Sequence, residues 1–351
     1  MDSDITGVIL EDSIMQKGRP AAAGSKMLEI FISPLDATVV TRLESAGKNI
    51  LRAAEMPELG IPDWGADMLG VSGAVNAVAD GVAAAALCND CSGAARRQAA
   101  RRGLRYIHPT YGTVSRYGLI PVASSMDQIG VVCGDVEEGF RVLSKIAGYD
   151  PKDGAMFPDT EYSYGPDRKN LKIGVPSNIF DKPPEFTGNF ETVSFELKYF
   201  DVYSQVMQIL CCAEIMGNIN RYDGVKFGYR SDAYGDLGEL YAKSRAEAFG
   251  SSVKLAAIMG AFVLSQENYT QYYDKAMRIR RLIKESLDFN KYDAIIMPVF
   301  DGDPHRQFTL GTLPQLAGLP SVTAPANGGI SLIADVKCEN ILFSALEVAG
   351  I

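Results

Sequence analysis

This chain has no run of about 18 consecutive apolar residues, so the sequence predicts no membrane-spanning helix. It has no excess of positive charge either: 34 Lys and Arg face 43 Asp and Glu, a net charge of −9. A surface of that sign is unsuited to coating nucleic acid, whose phosphates require clustered cations. Histidine is scarce, with only His108 and His305, so a base for a Cys–His arrangement is hard to supply. A basic leader is missing: the opening residues MDSDITGVILEDSIMQKG carry acids where a secretory signal carries Lys or Arg. The six cysteines, at 88, 91, 133, 211, 212 and 338, are too scattered for a disulfide framework. These absences predict a cytoplasmic protein with reduced thiols, no cofactor and no metal. It is expected to bind neither a membrane nor nucleic acid directly.

What is present is a core. Apolar residues make up 47% of the chain and charged ones 22%, as in an ordinary globular protein. At 351 residues the chain exceeds the usual single-core size of about 250–300, so one large α/β domain or two smaller ones would fit. Caps and periodicity predict a helix over 36–46, with Asp36 as N-cap, Val39, Val40 and Leu43 on one face, and Gly47 as stop. The short apolar stretch 49–51 follows as a strand. A second capped helix is predicted over 135–147, from Asp135 to Gly148. The small-residue stretch 73–87, GAVNAVADGVAAAAL, reads as one buried helix. LKIGVP (171–176) and YDAIIMPVF (292–300) read as buried strands ending at proline. Residues 240–288 read as mostly helical, and 150–170 as a long surface loop. Alternating helices and apolar strands indicate an α/β sheet, taken here as a single domain over 1–351. The arginines at 96, 97, 101, 102 and 105 read as a solvated helix face.

Candidate chemistry read from residue types alone is thin. Cys88-Asn89-Asp90-Cys91 is a C-x-x-C pattern, and Ser92 follows it. A cysteine nucleophile needs a depressed pKa and a nearby base, and buried inert thiols are the default expectation. One C-x-x-C with a distant Cys211-Cys212 pair lacks the spacing of a zinc site.

The order of longer motifs says more. GVAAAALCNDCSGAARRQAARRGLRYIHPTYGTVSRYGLIPVASSMDQIG (81–130) resembles, without a gap, the signature region of the amidase signature family. RYDGVKFGYRS (221–231), ELYAKSRAEAFG (239–250), YDKAMRIRRLI (273–283) and LAGLPSVTAP (316–325) extend the resemblance. The nearest branch is the glutaminase, or A, component of glutamyl-tRNA(Gln)/aspartyl-tRNA(Asn) amidotransferase. The resemblance implies a twisted mixed sheet sandwiched between helical layers, and amide hydrolysis by a Ser–cis-Ser–Lys triad. In that triad a neutral lysine draws a proton through the cis-serine from the nucleophile. Backbone N–H groups of the glycine-rich loop hold the oxyanion.

Carried over residue by residue, the lysine falls on Glu11, ahead of Asp12. The G-G-S-S-G-G-S loop falls on 68–74, with the cis-serine at Gly70. The nucleophile of D-T-G-G-S falls on Ala94, and the oxyanion loop on Asp90, Cys91, Ser92 and Gly93. None of the three replacements keeps the chemistry of the residue it stands for. The branch's substrate-holding tyrosine and arginine fall on Tyr229 and Arg280, and its acidic partner for the substrate amino group near Phe308. Arg96, Ser124, Ser125, Asp127 and Gln128 match motif positions that brace loops, and His108 stands at a lysine of the motif, in a structural turn. The resemblance also implies that the family's N-terminal helical region is absent and the stretch between Glu55 and Gly70 shortened. The expectation is a pseudo-amidase with a binding or complex-forming role, with amidotransferase B- or C-like subunits or a small carboxylate as partner. The alternative is an active amidase or glutamine amidohydrolase working through a non-standard site, with Cys91, Ser92 or a Glu11-activated water as substitute.

Overall fold

The computed structural model describes residues 7–53, 55–61, 71–168 and 170–351. In chain order the strands and α-helices are β1 (Gly7–Glu11), α1 (Thr38–Ser45), β2 (Asn49–Ala53), α2 (Gly73–Ala79), β3 (Ala85–Asn89), α3 (Ala94–Arg101), β4 (Arg105–His108), β5 (Ile129–Cys133) and α4 (Val136–Ile146). There follow β6 (Lys172–Pro176), β7 (Glu191–Phe195), α5 (Tyr203–Ile219), α6 (Leu237–Ala248), α7 (Ser251–Leu264), α8 (Lys275–Glu285) and β8 (Ala294–Pro298). The chain continues through α9 (Pro304–Leu310), α10 (Leu313–Ala317), β9 (Ser321–Ala324), β10 (Ile330–Ala334) and α11 (Glu339–Ala349).

The strands form one mixed sheet in the order β2-β1-β3-β5-β4-β9-β10-β8-β6-β7. Parallel pairs lie at its ends, β1 with β2 and β3, and β6 with β7 and β8. Its centre is antiparallel. Side chains alternate across the sheet with the strand period of two. On one face Val8, Leu10, Ala85, Leu87, Ile296 and Leu332 pack beneath α1, α4 and α11. On the other, Ile9, Ala86 and Cys88 meet α2 and α3, while Ile295, Met297 and Ile333 meet the α5, α7, α8 and α10 layer. Strands buried on both faces read as unbroken apolar runs, which is why 172–176 and 294–298 were recognisable by composition.

Several expectations need correction. The stretch 73–87 is not one helix: α2 stops at Ala79, Gly81 takes φ +73°, and residues from Ala85 onward enter the sheet as β3. Alanines suit a helix or a doubly covered strand equally, and ladder bonds to β1 and β5 decide the matter. Asp36 is not the N-cap of α1. Ala37 holds that place, and the Asp36 carboxylate accepts the Lys17 N–H at 2.7 Å. Asp135 does cap α4, accepting the Glu138 N–H at 2.9 Å. The arginines of α3 are not all solvated, because Arg96 and Arg97 are buried inside the molecule. His108 closes β4 and is buried, not part of a turn. Between Asp150 and Leu171 the described residues form no helix or strand, as the turn-rich composition predicts. No helix among the described residues is long and apolar enough to cross a membrane.

Candidate active site

The C-terminal ends of β1 and β3 lie side by side, since Leu10 pairs with Leu87 in the parallel register. That register brings Glu11 against the turn from β3 into α3. Glu11 is 3% exposed, and its Oε2 accepts the Asn89 N–H and the Ser13 hydroxyl, each at 3.0 Å. Burial, with smaller pushes from Asp90 and Asp12, raises its carboxyl to about 7 against the opposing hydrogen bonds. Beside it, Asp12 accepts the Ala22 N–H at 2.9 Å and lies 3.4 Å from Arg52; burial raises its carboxyl as well.

Ala94 opens α3 behind Gly93, which takes φ +78°. A Cβ on Gly93 would stand 2.6 Å from Arg97 Nη1 and 2.9 Å from Arg96 Nη2, so a larger residue would be strained at this φ and would displace both guanidinium groups. The close approach exists because both guanidinium groups fold back over the turn. Arg96 Nε lies 2.9 Å from Asp90 Oδ2, an ion pair by distance without the alignment of a hydrogen bond. Arg96 also donates to the Gly311 carbonyl at 2.8 Å, and Arg97 to the Ser92 carbonyl at 3.1 Å. Burial pushes the Asp90 carboxyl up, while Arg96 and Arg97 pull it back down. His108 Nδ1 stands 3.9 Å from Asp90, beyond hydrogen-bond reach. Burial, and then Arg96, depress its imidazole well below the usual value, which leaves it neutral.

The bracing residues knit this turn to the next loop. Asp127 accepts Asn89 Nδ2 at 3.0 Å and the Val122 N–H at 2.8 Å. Asn89 returns the tie by accepting the Gln128 N–H at 2.9 Å, and Gln128 Nε2 donates to the Pro109 carbonyl. The Ser124 carbonyl accepts from Tyr111 and Arg116. Ser125 gives its N–H and hydroxyl to the Glu214 carboxylate at 2.8 and 2.5 Å. Glu214 escaped the sequence reading, although a lone acid in the apolar helix YSQVMQILCCAEIMGNI signals a buried polar partner.

Arg280, read as a carboxylate clamp, is engaged within the protein. Nε donates to Leu316 O at 2.7 Å, Nη1 to Ser125 Oγ at 2.9 Å, and Nη2 to Ser125 O and Gln315 O at 3.1 and 3.3 Å. Arg280→Ala is therefore expected to cost about 2 kcal/mol of stability, the scale of hydrogen bonds to a charged donor. A shift below about 0.5 kcal/mol in urea denaturation would contradict that strapping role. Tyr229 sits elsewhere: its hydroxyl donates to Glu247 at 2.7 Å, and Lys26 Nζ lies 4.1 Å from its ring centroid. No described contact joins Tyr229 to Arg280.

Cys91, Ser92 and Phe308 do come together. With Ile61, Met207 and Cys211 they line a cavity of ≈ 30 Å³ whose walls are almost wholly apolar. The cis-serine position, Gly70, lies outside the described residues, as do Met68 and Leu69. Among the described residues no cluster of His, Cys, Asp or Glu could hold a metal.

A family model described as Amidase matches residues 70–328. The chain belongs to the amidase signature family. It is 34% identical to the A subunit of glutamyl-tRNA(Gln) amidotransferase from Lachnoclostridium phytofermentans over 376 residues, covering 92% of this chain and 76% of the relative. The Neisseria gonorrhoeae counterpart is 33% identical over 401 residues, covering 99% and 83%. That relative therefore carries segments within the aligned stretch that this 351-residue amidase homologue lacks. Among solved structures, the Thermotoga maritima counterpart superposes with a TM-score of 0.71 at 24% identity, covering 97% of this chain and 82% of that one. A peptide amidase from Stenotrophomonas maltophilia gives 0.75 at 21% identity, covering 98% and 81%. At those identities the superpositions establish the α/β amidase fold, with its ten-stranded mixed sheet between helices.

Proposed function

We propose that this chain is a pseudo-amidase: it keeps the scaffold of the amidotransferase glutaminase component, does not hydrolyse glutamine, and acts by binding within a complex. The observation that carries the reading is the pair of side chains at the two catalytic positions the described residues include. Where the resemblance places the lysine base stands a buried carboxyl, Glu11, already accepting two hydrogen bonds. Where it places the nucleophile stands the methyl group of Ala94, which has no atom to attack with. The small apolar cavity beside Cys91 and Ser92 supports the same reading, because an amide substrate needs polar partners and more room. The relatives are subunits by name, and a B- or C-like amidotransferase component is the proposed partner. A small carboxylate is a second ligand candidate, held through the one Arg280 N–H left after its internal bonds.

The purified protein is expected to release no ammonia from glutamine above background in a coupled glutamate dehydrogenase assay. Ala94→Ser is expected to stay inactive, since Glu11 is unchanged. Turnover in that single variant would overturn the reading.

One observation favours the alternative of a non-standard active site. A carboxyl near 7 is matched to general-base work at neutral pH. That alternative requires amide turnover that disappears in Glu11→Gln, measured in the same assay.

A further inference from the structure

The sequence offers two apparent cysteine pairs, Cys88 with Cys91 and Cys211 with Cys212, and the fold separates both. Cys88 packs with Tyr106 and Ala74 on the α2–α3 side. Cys91, beyond the end of β3, lies in the cluster beneath α5. On α5, successive residues point about 100° apart. Cys212 faces an outer groove with Leu255 and Met259 of α7, and Cys211 faces inward. The inward thiols meet across 120 residues of chain. Cys91 and Cys211 line the same small cavity, and Cys211 Sγ lies 3.3 Å from Met126 Sδ.

We propose that Cys91 and Cys211 are an oxidative cross-linking site, closed to a disulfide by a small peroxide and reopened by a dithiol reductant. The cavity of ≈ 30 Å³ has room for about one molecule of that size. In the first step one thiolate attacks a peroxide oxygen, the O–O bond breaks, and a sulfenic acid and hydroxide form. In the second the other thiolate attacks that sulfur, the S–S bond forms, and the second hydroxide leaves. The two thiol protons convert both hydroxides to water. The thiols lose two electrons and the peroxide gains them. The cross-link would tie the turn carrying Asp90, Ser92 and Ala94 to α5 and fix one wall of the cavity.

The Cys211 contact and then burial push the Cys91 thiol well above its usual value. Thiolate is therefore scarce at neutral pH, and the closing rate should climb about tenfold per pH unit between 7 and 9. Burial protects the site without sealing it, so it should respond to sustained exposure and not to a brief pulse.

The test uses the full-length reduced protein, treated with hydrogen peroxide at pH 8.5 without denaturant, alkylated, digested and mapped by mass spectrometry. Two of the six thiols should disappear together into one peptide joining Cys91 to Cys211. The oxidised protein should melt about 5 °C higher, given the length of the closed loop, and dithiothreitol should reverse the shift. Cys88→Ser should retain the cross-link, and Cys91→Ala and Cys211→Ala should each abolish it. Pairing within Cys88–Cys91 or Cys211–Cys212, cross-links between molecules, or six thiols still alkylated after prolonged treatment would each overturn the proposal. Wild-type mapping alone decides it should a variant fail to fold.

Discussion

Replacing Asp90 by asparagine is expected to destabilise the protein by about 3–5 kcal/mol, the largest loss predicted for a single side chain here. The reason is the company Asp90 keeps. Arg96 and Arg97 are buried, at 3% and 2% exposure, and both fold over the turn that Asp90 begins. Arg96 stands 2.9 Å from the carboxylate, and both arginines act on its charge. Asparagine keeps the shape and removes the counter-charge. The Arg96 guanidinium would then remain in a low-dielectric interior facing a neutral amide. The rest of the turn should hold, because the Asp90 N–H bond to Gln128 O and the Gln315 bond to Asp90 O are backbone contacts. Guanidinium denaturation with an unchanged m-value would measure the loss cleanly. A cost below 1 kcal/mol would mean that other groups neutralise the arginines.

This cluster marks the boundary of what could be read in advance. Asp90, Gly93 and Arg96 were identifiable as motif positions. That Arg96 and Arg97 turn inward was not, because a run of arginines on a short helix has the pattern of a solvated face. Burial of charge depends on a counter-ion, and here the counter-ion belongs to the preceding turn while the other acceptor, Gly311 O, lies 215 residues away. Elements whose cause is local were legible: the Asp135 cap and apolar stripe of α4, or the apolar runs of β6 and β8. The run at 73–87 was not, because its structure is decided by β1 and β5, which lie outside it in sequence. The cysteines repeat the lesson. Adjacent in sequence they look paired, but strand alternation and helix rotation send neighbours to different clusters. The Arg280 strap likewise depends on α10 and the Ser125 loop, so sequence reading could place the arginine without revealing that all but one of its donors are taken.

The second large effect concerns pH and falls on Glu11. Its carboxyl is raised from 4.5 to about 7 by burial. A carboxyl whose folded-state value exceeds the unfolded one binds its proton more tightly when folded. The associated stability is fully present below about 4.5 and is lost progressively as pH rises to about 7. A gap of that size corresponds to about 3 kcal/mol, at 1.36 kcal/mol per unit. Glu11→Gln removes the titration. It also preserves the local bonds, since Asn89 N–H and the Ser13 hydroxyl both donate to Oε2, and one amide oxygen can accept both. The variant should match the wild type near pH 4.5 and exceed its stability by up to about 3 kcal/mol at pH 8. Asp12, Asp127 and Glu339 are also raised by burial, so the wild type should weaken toward alkaline pH for several reasons at once. The difference between the two proteins isolates Glu11, because the other groups are common to both. Parallel stability curves from pH 4.5 to 8 would show that Glu11 titrates in its ordinary range. The result bears on function as well. A carboxyl that costs stability when ionised, and whose replacement by an amide strengthens the fold, has no structural reason to remain an acid. If Glu11→Gln is more stable and no amide turnover exists to be lost, the site tolerates that acid without using it. If turnover exists and vanishes, the same instability is the cost of a base held near neutrality.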